Sequence, residues 1–255
     1  MNIYCEKSSN LTKGDVLFIH GNLASTTWWE PTLNEWKKQG SLGSGEMIFA
    51  DWRGCGKNDD WFNDRPFTLK DLAQDYFELL DRKGKQKISI VGHSLGGLIA
   101  LQMMSMAPER IEKCVMLDPV GCKGVVFDDS MYEAFRQMAA SRALTQTVVF
   151  STIKNPNFEP SFAERIADDA FKAVKGIGSS VLEILKTVDL SEAARQCRVP
   201  TLILHGAHDQ IIPLKDSEHL KSLMPNAKLE VLPDAGHCWN VENPQAFVKR
   251  IRDWI

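Results

Sequence analysis

Apolar residues gather in six short runs along the chain, and most of these runs are continuous rather than alternating with polar residues. They are DVLFIHG (15–21), GEMIFADWRG (45–54), KISIVGHS (87–94), EKCVMLDPVG (112–121), PTLILHGAHD (200–209) and AKLEVLPDAGH (227–237). A continuous apolar run of this length is typical of a strand that is buried on both faces, as in a parallel sheet. We therefore predict a strand at each run.

Segments with helical spacing lie between the runs. In residues 68–84 one helix face carries the apolar side chains of Leu69, Leu72, Tyr76, Leu79 and Leu80, and the pattern stops at Gly84. In residues 243–255 an asparagine cap precedes a proline at the first helical position. Strands that alternate with helices predict a parallel sheet covered by helices, an α/β fold.

The interval 123–198 breaks this alternation because it contains amphipathic pieces and no clear buried strand. The second piece starts at Ser161, which forms a capping-box pattern with Glu164, and a third piece follows from Ser179. We predict a helical cap over 123–198, inserted into a single α/β core made of 1–122 and 199–255.

Composition narrows the class of partner. The chain has 255 residues and a formal net charge of −3, with no run of basic residues, which argues against nucleic acid and acidic membranes and favours a small-molecule substrate. No apolar stretch is long enough for a membrane span, and the first residues lack the pattern of a signal peptide. The six cysteines are scattered, which predicts reduced thiols in a cytoplasmic protein rather than disulfides or a zinc site.

A serine stands where one of the predicted strands must turn abruptly into a helix. Gly92, Ser94 and Gly96 form a G-x-S-x-G pattern between the run 87–94 and an apolar helical segment. In such an elbow only small neighbours let strand and helix approach, so that the serine hydroxyl is held out at the edge of the sheet. We predict that Ser94 is a nucleophile.

A serine nucleophile needs a base and a carboxylate that orients the base. His237 and Asp209 both follow late strands, and the order Ser94, Asp209, His237 is the order of a nucleophile-elbow hydrolase. Asp118 also follows a strand and stays an alternative acid. The histidines that stay alternatives for the base are His20, His205 and His208.

The oxyanion of an acyl-transfer reaction needs two N–H donors. The backbone of Leu95, directly after the nucleophile, supplies one at a helix N-terminus, and the backbone of Asn22, after the first strand, supplies the other. Nothing in the chain has the pattern of a phosphate-binding loop, a dinucleotide-binding loop or a zinc-protease helix, so no cofactor and no metal are expected.

Together these pieces resemble the α/β-hydrolase superfamily. The stretches that carry the resemblance are FIHGN (18–22), DWRGCGKN (51–58), VGHSLGG (91–97), LILHGAHDQIIP (202–213) and PDAGHCWNVENP (233–244). The resemblance implies a mostly parallel sheet of about seven or eight strands flanked by helices, with a helical cap. It also implies Ser94, Asp209 and His237 as the triad and Asn22 with Leu95 as oxyanion donors. Asn58 stands where the family's loop often has serine.

The expected function is that of a serine hydrolase that cleaves a small, apolar carboxylic ester through an acyl-serine intermediate. Alternatives are cleavage of a C–C bond, thioester, amide or lactone by the same serine, and a small-molecule receptor that keeps the triad but turns over slowly. The apolar side chains predicted to line the pocket are Trp28, Phe127, Met131 and Phe135. The protein is expected to be a monomer or a homodimer.

Overall fold

The computed structural model describes residues 5–58 and 66–255, and for residues 5–10 it describes the backbone alone. The strands β1 to β7 are Cys5–Thr12, Val16–Ile19, Gly45–Ala50, Ile88–His93, Ile111–Leu117, Thr201–Gly206 and Ala227–Leu232. Within this part of the chain they form one seven-stranded sheet in the order β1-β3-β2-β4-β5-β6-β7. Every pair is parallel except β1 with β3. The prediction of a mostly parallel α/β sheet is confirmed.

Helices flank the sheet on both faces. Those of the described chain, α1 to α10, are Glu30–Gln39, Leu69–Arg82, Leu95–Met106, Asp129–Ala140, Arg142–Ser151, Pro160–Thr187, Ser191–Gln196, Leu214–Leu223, Trp239–Glu242 and Pro244–Trp254. Two 3₁₀ turns are Thr26–Trp29 and Pro108–Arg110. None of the described helices combines the length and the apolar character that a membrane span requires.

Strand β2 sends alternate side chains into two apolar layers. In β2, Leu17 packs in the layer that contains α2 and α3, while Phe18 packs in the layer that contains α1 and α10. The predicted apolar face of α2 is buried throughout. Burial on both faces explains why the strand sequences are continuously apolar.

The predicted strands extended beyond the carboxyl ends of the observed strands. The run 45–54 ends as a strand at Ala50, and the run 227–237 ends at Leu232. The residues beyond leave the sheet as loops, because ligand-binding loops in α/β folds begin where parallel strands end. The paired positions His93 with Leu117, Leu117 with Leu204, and Gly206 with Leu232 bring the loops after four neighbouring strands to one edge.

The interval 123–198, all of which is described, contains α4 to α7 and no strand. The prediction of two separate helices with a capping box at Ser161 and Glu164 is wrong, since α6 runs unbroken and begins at Pro160. Proline at the first helical position starts the helix ahead of Ser161, because its missing N–H would have had no partner there. The helix α6 continues through Gly178, which is buried. The residue packs so close to α4 that a Cβ there would be 3.1 Å from the ring of Phe135.

Polar contacts join α6 to the loop after β2. Oδ2 of Asp169 accepts hydrogen bonds from the hydroxyls of Ser25 at 2.5 Å and Thr27 at 2.8 Å. Arg165 forms an ion pair with Glu30 at the start of α1. The helical segment therefore lies against the loop that also passes the serine elbow.

Candidate active site

Ser94 lies in the sharp turn between β4 and α3. Its φ of 54° and ψ of −119° fall in a region that residues with a side chain rarely adopt. A Cβ at Gly96 would be 2.2 Å from the carbonyl oxygen of Ile19, and one at Gly92 would be 2.4 Å from the carbonyl of Gly96. Both glycines are therefore required by close approach of the backbone, which holds Ser94 in its strained conformation.

His237 and Asp209 come together at the same edge of the sheet. Nδ1 of His237 lies 2.7 Å from Oδ2 of Asp209, and the other carboxylate oxygen accepts hydrogen bonds from the backbone N–H groups of Ile211 at 2.7 Å and Ile212 at 3.0 Å. Burial alone would raise the pKa of Asp209, but the hydrogen bond and charge of His237 and the two amides lower it below its ordinary value. Asp209 is therefore suited to hold the ring of His237 and to stabilise its protonated form.

The residue before the nucleophile holds the histidine loop in place. Nε2 of His93 lies 2.8 Å from the backbone carbonyl oxygen of His237, and the two rings are 4.9 Å apart between centroids. Burial lowers the pKa of His93 to about 3, so its ring is neutral and donates from Nε2. Among the described residues no hydrogen bond joins the Ser94 hydroxyl directly to the ring of His237. Catalytic hydrogen bonds of this kind often tighten only when substrate binds.

Glu242 holds the same loop from the other side. Its Oε2 accepts from the N–H of Gly236 at 2.7 Å, and its Oε1 accepts from the N–H groups of Lys154 at 2.8 Å and Cys238 at 3.2 Å. One carboxylate therefore binds the residues on both sides of His237 and the end of the α5 region. The sequence analysis missed Glu242. The clue in the sequence was an acidic residue five positions after the candidate base, which the structure places at the end of α9.

Two backbone N–H groups beside Ser94 have no hydrogen-bond partner among the described residues, those of Leu95 and Asn22. Leu95 begins α3, where the helix dipole favours negative charge. The loop that carries Asn22 passes directly by the elbow, since a Cβ on Gly21 would be 3.0 Å from that of Ser94. The side-chain oxygen of Asn22 accepts from the N–H of Leu23 at 2.9 Å, which fixes the turn.

The loop 51–58 supports this turn, a role that the sequence alone did not reveal. Oδ1 of Asp51 accepts from the N–H of Thr26 at 2.6 Å, and Oδ2 accepts from the N–H of Lys57 at 3.0 Å. Burial raises the pKa of Asp51 to about 6, and Nε2 of His20 is 3.7 Å from its Oδ1. The Asn58 amide donates to the backbone carbonyl of Asp51, in the place where the family's loop often has serine.

The three histidines that were alternatives for the base have other surroundings. His20 is buried, with Nδ1 2.9 Å from the carbonyl of the next residue, and burial lowers its pKa to about 4. Nδ1 of His205 lies 2.9 Å from the hydroxyl of Ser217. His208 is exposed.

The alternative acid, Asp118, is fully buried after β5. Its Oδ1 accepts from the N–H of Gly206 at 2.7 Å, and no hydrogen bond joins it to His237 within the described chain. Its carboxylate, that of Asp209 and the ring of His205 each offer one atom, and these atoms lie within 4.8 Å of one another. The Asp209 oxygens accept from the ring of His237 and from the two amides that follow Asp209, which uses three of the roughly four lone-pair sites of the carboxylate.

The residues predicted to line a pocket lie in different parts of the structure. Trp28 is buried in an apolar cluster with side chains of α5 and α6, and its ring centroid is 6.4 Å from that of His93. Phe127 is partly buried against the main core layer, and Met131 and Phe135 lie half-buried on α4, which packs on α6. Of these four residues, Trp28 is therefore the one whose ring contacts His93, the residue before Ser94.

Proteins of known sequence or structure resemble the chain over most of its length. A putative carbamate hydrolase RutD from Caulobacter sp. (strain K31) is 25% identical in an alignment 251 residues long that covers 94% of this chain and 90% of that protein. Carboxylesterase YbfK from Bacillus subtilis (strain 168) is 21% identical, over 94% of this chain and 79% of its own length. The esterase from Exiguobacterium antarcticum superposes with a TM-score of 0.84 at 21% identity, over 99% of this chain and 94% of that one.

The family comparison agrees with the geometry. The sequence model of the alpha/beta hydrolase fold matches residues 15–244, which include β2 to β7 and the three residues Ser94, Asp209 and His237. A match of this extent, together with the observed seven-stranded sheet, shows that the chain belongs to the alpha/beta hydrolase fold family and is an enzyme of that class.

Proposed function

We propose that the protein hydrolyses small carboxylic esters with apolar acyl groups through an acyl-serine intermediate. The observation that carries this proposal is the 2.7 Å contact between Nδ1 of His237 and Oδ2 of Asp209, made beside a serine with a φ of 54° at the start of a helix. These are the parts that nucleophilic catalysis by serine requires.

Each group has one task in the first half-reaction. Nε2 of His237 takes the proton of the Ser94 hydroxyl as Oγ attacks the ester carbonyl carbon, and Nδ1–H donates to Asp209. The oxyanion accepts hydrogen bonds from the N–H groups of Leu95 and Asn22. The carbon–oxygen bond to the alcohol then breaks, and His237 gives its proton to the leaving alkoxide.

The second half-reaction uses the same groups with water. His237 removes a proton from water, the hydroxide attacks the acyl carbonyl, and the same two N–H groups hold the second oxyanion. The bond to Oγ breaks, and His237 returns the proton to Ser94. The carboxylic acid leaves, and the enzyme is regenerated without a cofactor.

The surroundings of Ser94 support a small, apolar acyl group. Ser94 is 8% exposed and His237 is 5% exposed, so the reacting groups are nearly buried, which favours a small substrate. Trp28 and Cys238 belong to one buried apolar cluster, and Leu23 packs against it next to Asn22. The helical segment 123–198 supplies part of this cluster, and we propose that it is the cap over the site and that the core is 1–122 with 199–255.

The names of the relatives fit attack on a carbonyl carbon. The Caulobacter relative is named a putative carbamate hydrolase, and the Bacillus relative is named a carboxylesterase. Both reactions pass through an oxyanion, so the same groups would serve either. The ester is preferred for this chain because the cluster that contains Trp28 and Cys238 beside the elbow is apolar, which favours a substrate with fewer polar groups than a carbamate.

The test is steady-state hydrolysis of p-nitrophenyl esters from acetate to long chains. We expect turnover of the short esters, a decline with chain length, and a loss of roughly 10⁴–10⁶-fold in Ser94→Ala. Ser222→Ala, at an exposed serine of α8, is the matched control and should keep full activity.

A fluorophosphonate probe separates the alternatives. Labelling of Ser94 without ester turnover would leave the machinery intact and favour a C–C bond, thioester, amide or lactone substrate, or a slow receptor. Absence of labelling in a folded protein would refute the assignment of Ser94.

The cysteines support a reducing compartment. Cys55, Cys114, Cys122, Cys197 and Cys238 are all buried free thiols. We therefore propose that the protein works in the cytoplasm on a small molecule.

A further inference from the structure

A second buried carboxyl group lies beside the proposed acid of the triad. Asp118 follows β5 with a φ of 45°, in the left-handed region that favours glycine, and its side chain is fully buried. Its Oδ1 accepts a hydrogen bond from the N–H of Gly206 at 2.7 Å. Its Oδ2 is buried and, among the described residues, has no hydrogen-bond partner. A strained, buried acid with an unused oxygen needs an explanation.

Asp118 has a neighbour of the same kind. One carboxylate oxygen of Asp118, one of Asp209 and one ring nitrogen of His205 all lie within 4.8 Å of one another. Two buried carboxylates this close raise each other's pKa, because each negative charge disfavours the other, and this repulsion is relieved when one of them keeps its proton.

The hydrogen bonds decide which one. The carboxylate of Asp209 accepts hydrogen bonds from His237 and from two backbone N–H groups, all of which stabilise a negative charge. The carboxylate of Asp118 accepts one hydrogen bond, from the N–H of Gly206. Burial, and then the charge of Asp209, raises the pKa of Asp118 well above its ordinary value, whereas the pKa of Asp209 is lowered.

Among the described residues, the other groups that act on Asp118 do not supply a compensating positive charge. Glu242 adds a further negative charge, and the nearby Cys238 is a buried free thiol. Nδ1 of His205 is 3.8 Å from Oδ1 of Asp118, but burial lowers the pKa of this histidine, which favours its neutral form.

We propose that Asp118 is a positioning residue, a neutral carboxylic acid whose Oδ2 proton is shared with the carboxylate of Asp209 and fixes that carboxylate for His237. No bond is made or broken in this role, since the proton stays between the two carboxyl groups. The inference rests on the proposed parts of Asp209 and His237 in catalysis.

The proposal has a distinct effect on the pH profile. Asparagine at position 118 keeps the acceptor for Gly206 and offers an N–H in place of the acid proton. Alanine removes the donor, which leaves more negative charge on Asp209, favours the protonated ring of His237 and raises the pH at which the base becomes active. If Asp118 were instead ionised, asparagine would remove a negative charge and lower that pH.

The experiment is the pH dependence of kcat/KM for p-nitrophenyl acetate in the wild type, Asp118→Asn and Asp118→Ala. We expect Asp118→Asn to stay within about threefold of the wild type with an unchanged acid limb. Asp118→Ala should move the acid limb upward by roughly 0.5–1 unit. Asp234→Asn, at an exposed acid in the loop before His237, is the control for a general loss of charge.

Two kinetic results would overturn the proposal. A downward shift of the acid limb in Asp118→Asn would mean that the wild-type group is ionised. Equal profiles in Asp118→Asn and Asp118→Ala would mean that the side chain only fills space.

An infrared difference spectrum decides the question without turnover and covers the case in which Asp118→Ala does not fold. At about pH 8, where Asp51 is ionised, the wild type minus Asp118→Asn should show the carbonyl stretch of one protonated carboxylic acid. Absence of this band would overturn the proposal. A band in a protein that hydrolyses no ester would leave this inference standing and refute the proposed substrate alone.

Discussion

Glu242 offers a direct test of whether the histidine loop is held by a single carboxylate. The perturbation is Glu242→Gln, which keeps the size of the side chain and removes its charge. The wild-type carboxylate accepts three backbone N–H groups, from Gly236 on one oxygen and from Cys238 and Lys154 on the other. A glutamine has one oxygen and one NH₂ group, so in either orientation at least one N–H faces another donor.

The magnitude follows from these contacts. A partly buried N–H left without its acceptor costs about 1–3 kcal/mol, and hydrogen bonds to a charged group are stronger than those to a neutral amide. We expect a loss of about 3 kcal/mol in the free energy of unfolding, which for a protein of this size lowers the Tm by roughly 6–12 °C. The ring of His237 shifts with its loop, and a displacement of about 1 Å costs on the order of 10²-fold in rate.

Thermal unfolding and ester hydrolysis are measured on the same preparations, with Glu218→Gln at an exposed acid of α8 as control. Most of the loss should fall on kcat, because Glu242 holds the base rather than the substrate. A Glu242→Gln protein with the Tm and kcat of the Glu218→Gln control would refute the reasoning.

Three further outcomes are expected. Ser94→Gly should unfold about 1 kcal/mol less readily than Ser94→Ala, since only alanine retains the strain of a φ near 54°; equal chemical-denaturation midpoints would argue against stored strain. Gly96→Ala should lower the Tm by at least roughly 10 °C, because its Cβ would meet the carbonyl of Ile19 at 2.2 Å, whereas Gly14→Ala, with its nearest atom at 3.7 Å, should change it little; similar Tm values would contradict the steric argument. Burial lowers the pKa of His93 from 6.5 to about 3, so between these values the unfolded state binds a proton that the folded state does not, and stability falls as the pH falls. His93→Gln keeps a donor without this titration, and urea unfolding should show a weaker pH dependence than in the wild type; an identical dependence would exclude His93 as the cause.

Local pattern was sufficient where one residue type can satisfy a local physical requirement. The continuous apolar runs could be buried only as strands covered on both faces, and β2 meets this requirement with Leu17 and Phe18 in opposite layers. The elbow is equally local, because only glycine at positions 92 and 96 allows the backbone contacts that the turn makes. These features were predictable from the sequence for that reason.

Local pattern was insufficient where two arrangements satisfy it equally well. The sequence favoured two helices where α6 is one, because burial against α4 outweighs the low helix propensity of Gly178. The sequence pattern of apolar side chains such as Phe135 is the same whether they line a pocket or pack on a neighbouring helix.

The candidate site divides in the same way. Asp118 and Asp209 both follow strands at one edge, so the sequence favoured Asp209 by chain order but left Asp118 open as the acid that bonds to His237. Tertiary structure decided this, because Asp118 turns its Oδ1 to the N–H of Gly206 while Asp209 lies 2.7 Å from Nδ1 of His237. Chain order specifies which loops share an edge, whereas the direction of each side chain depends on backbone torsions and on partners from distant strands.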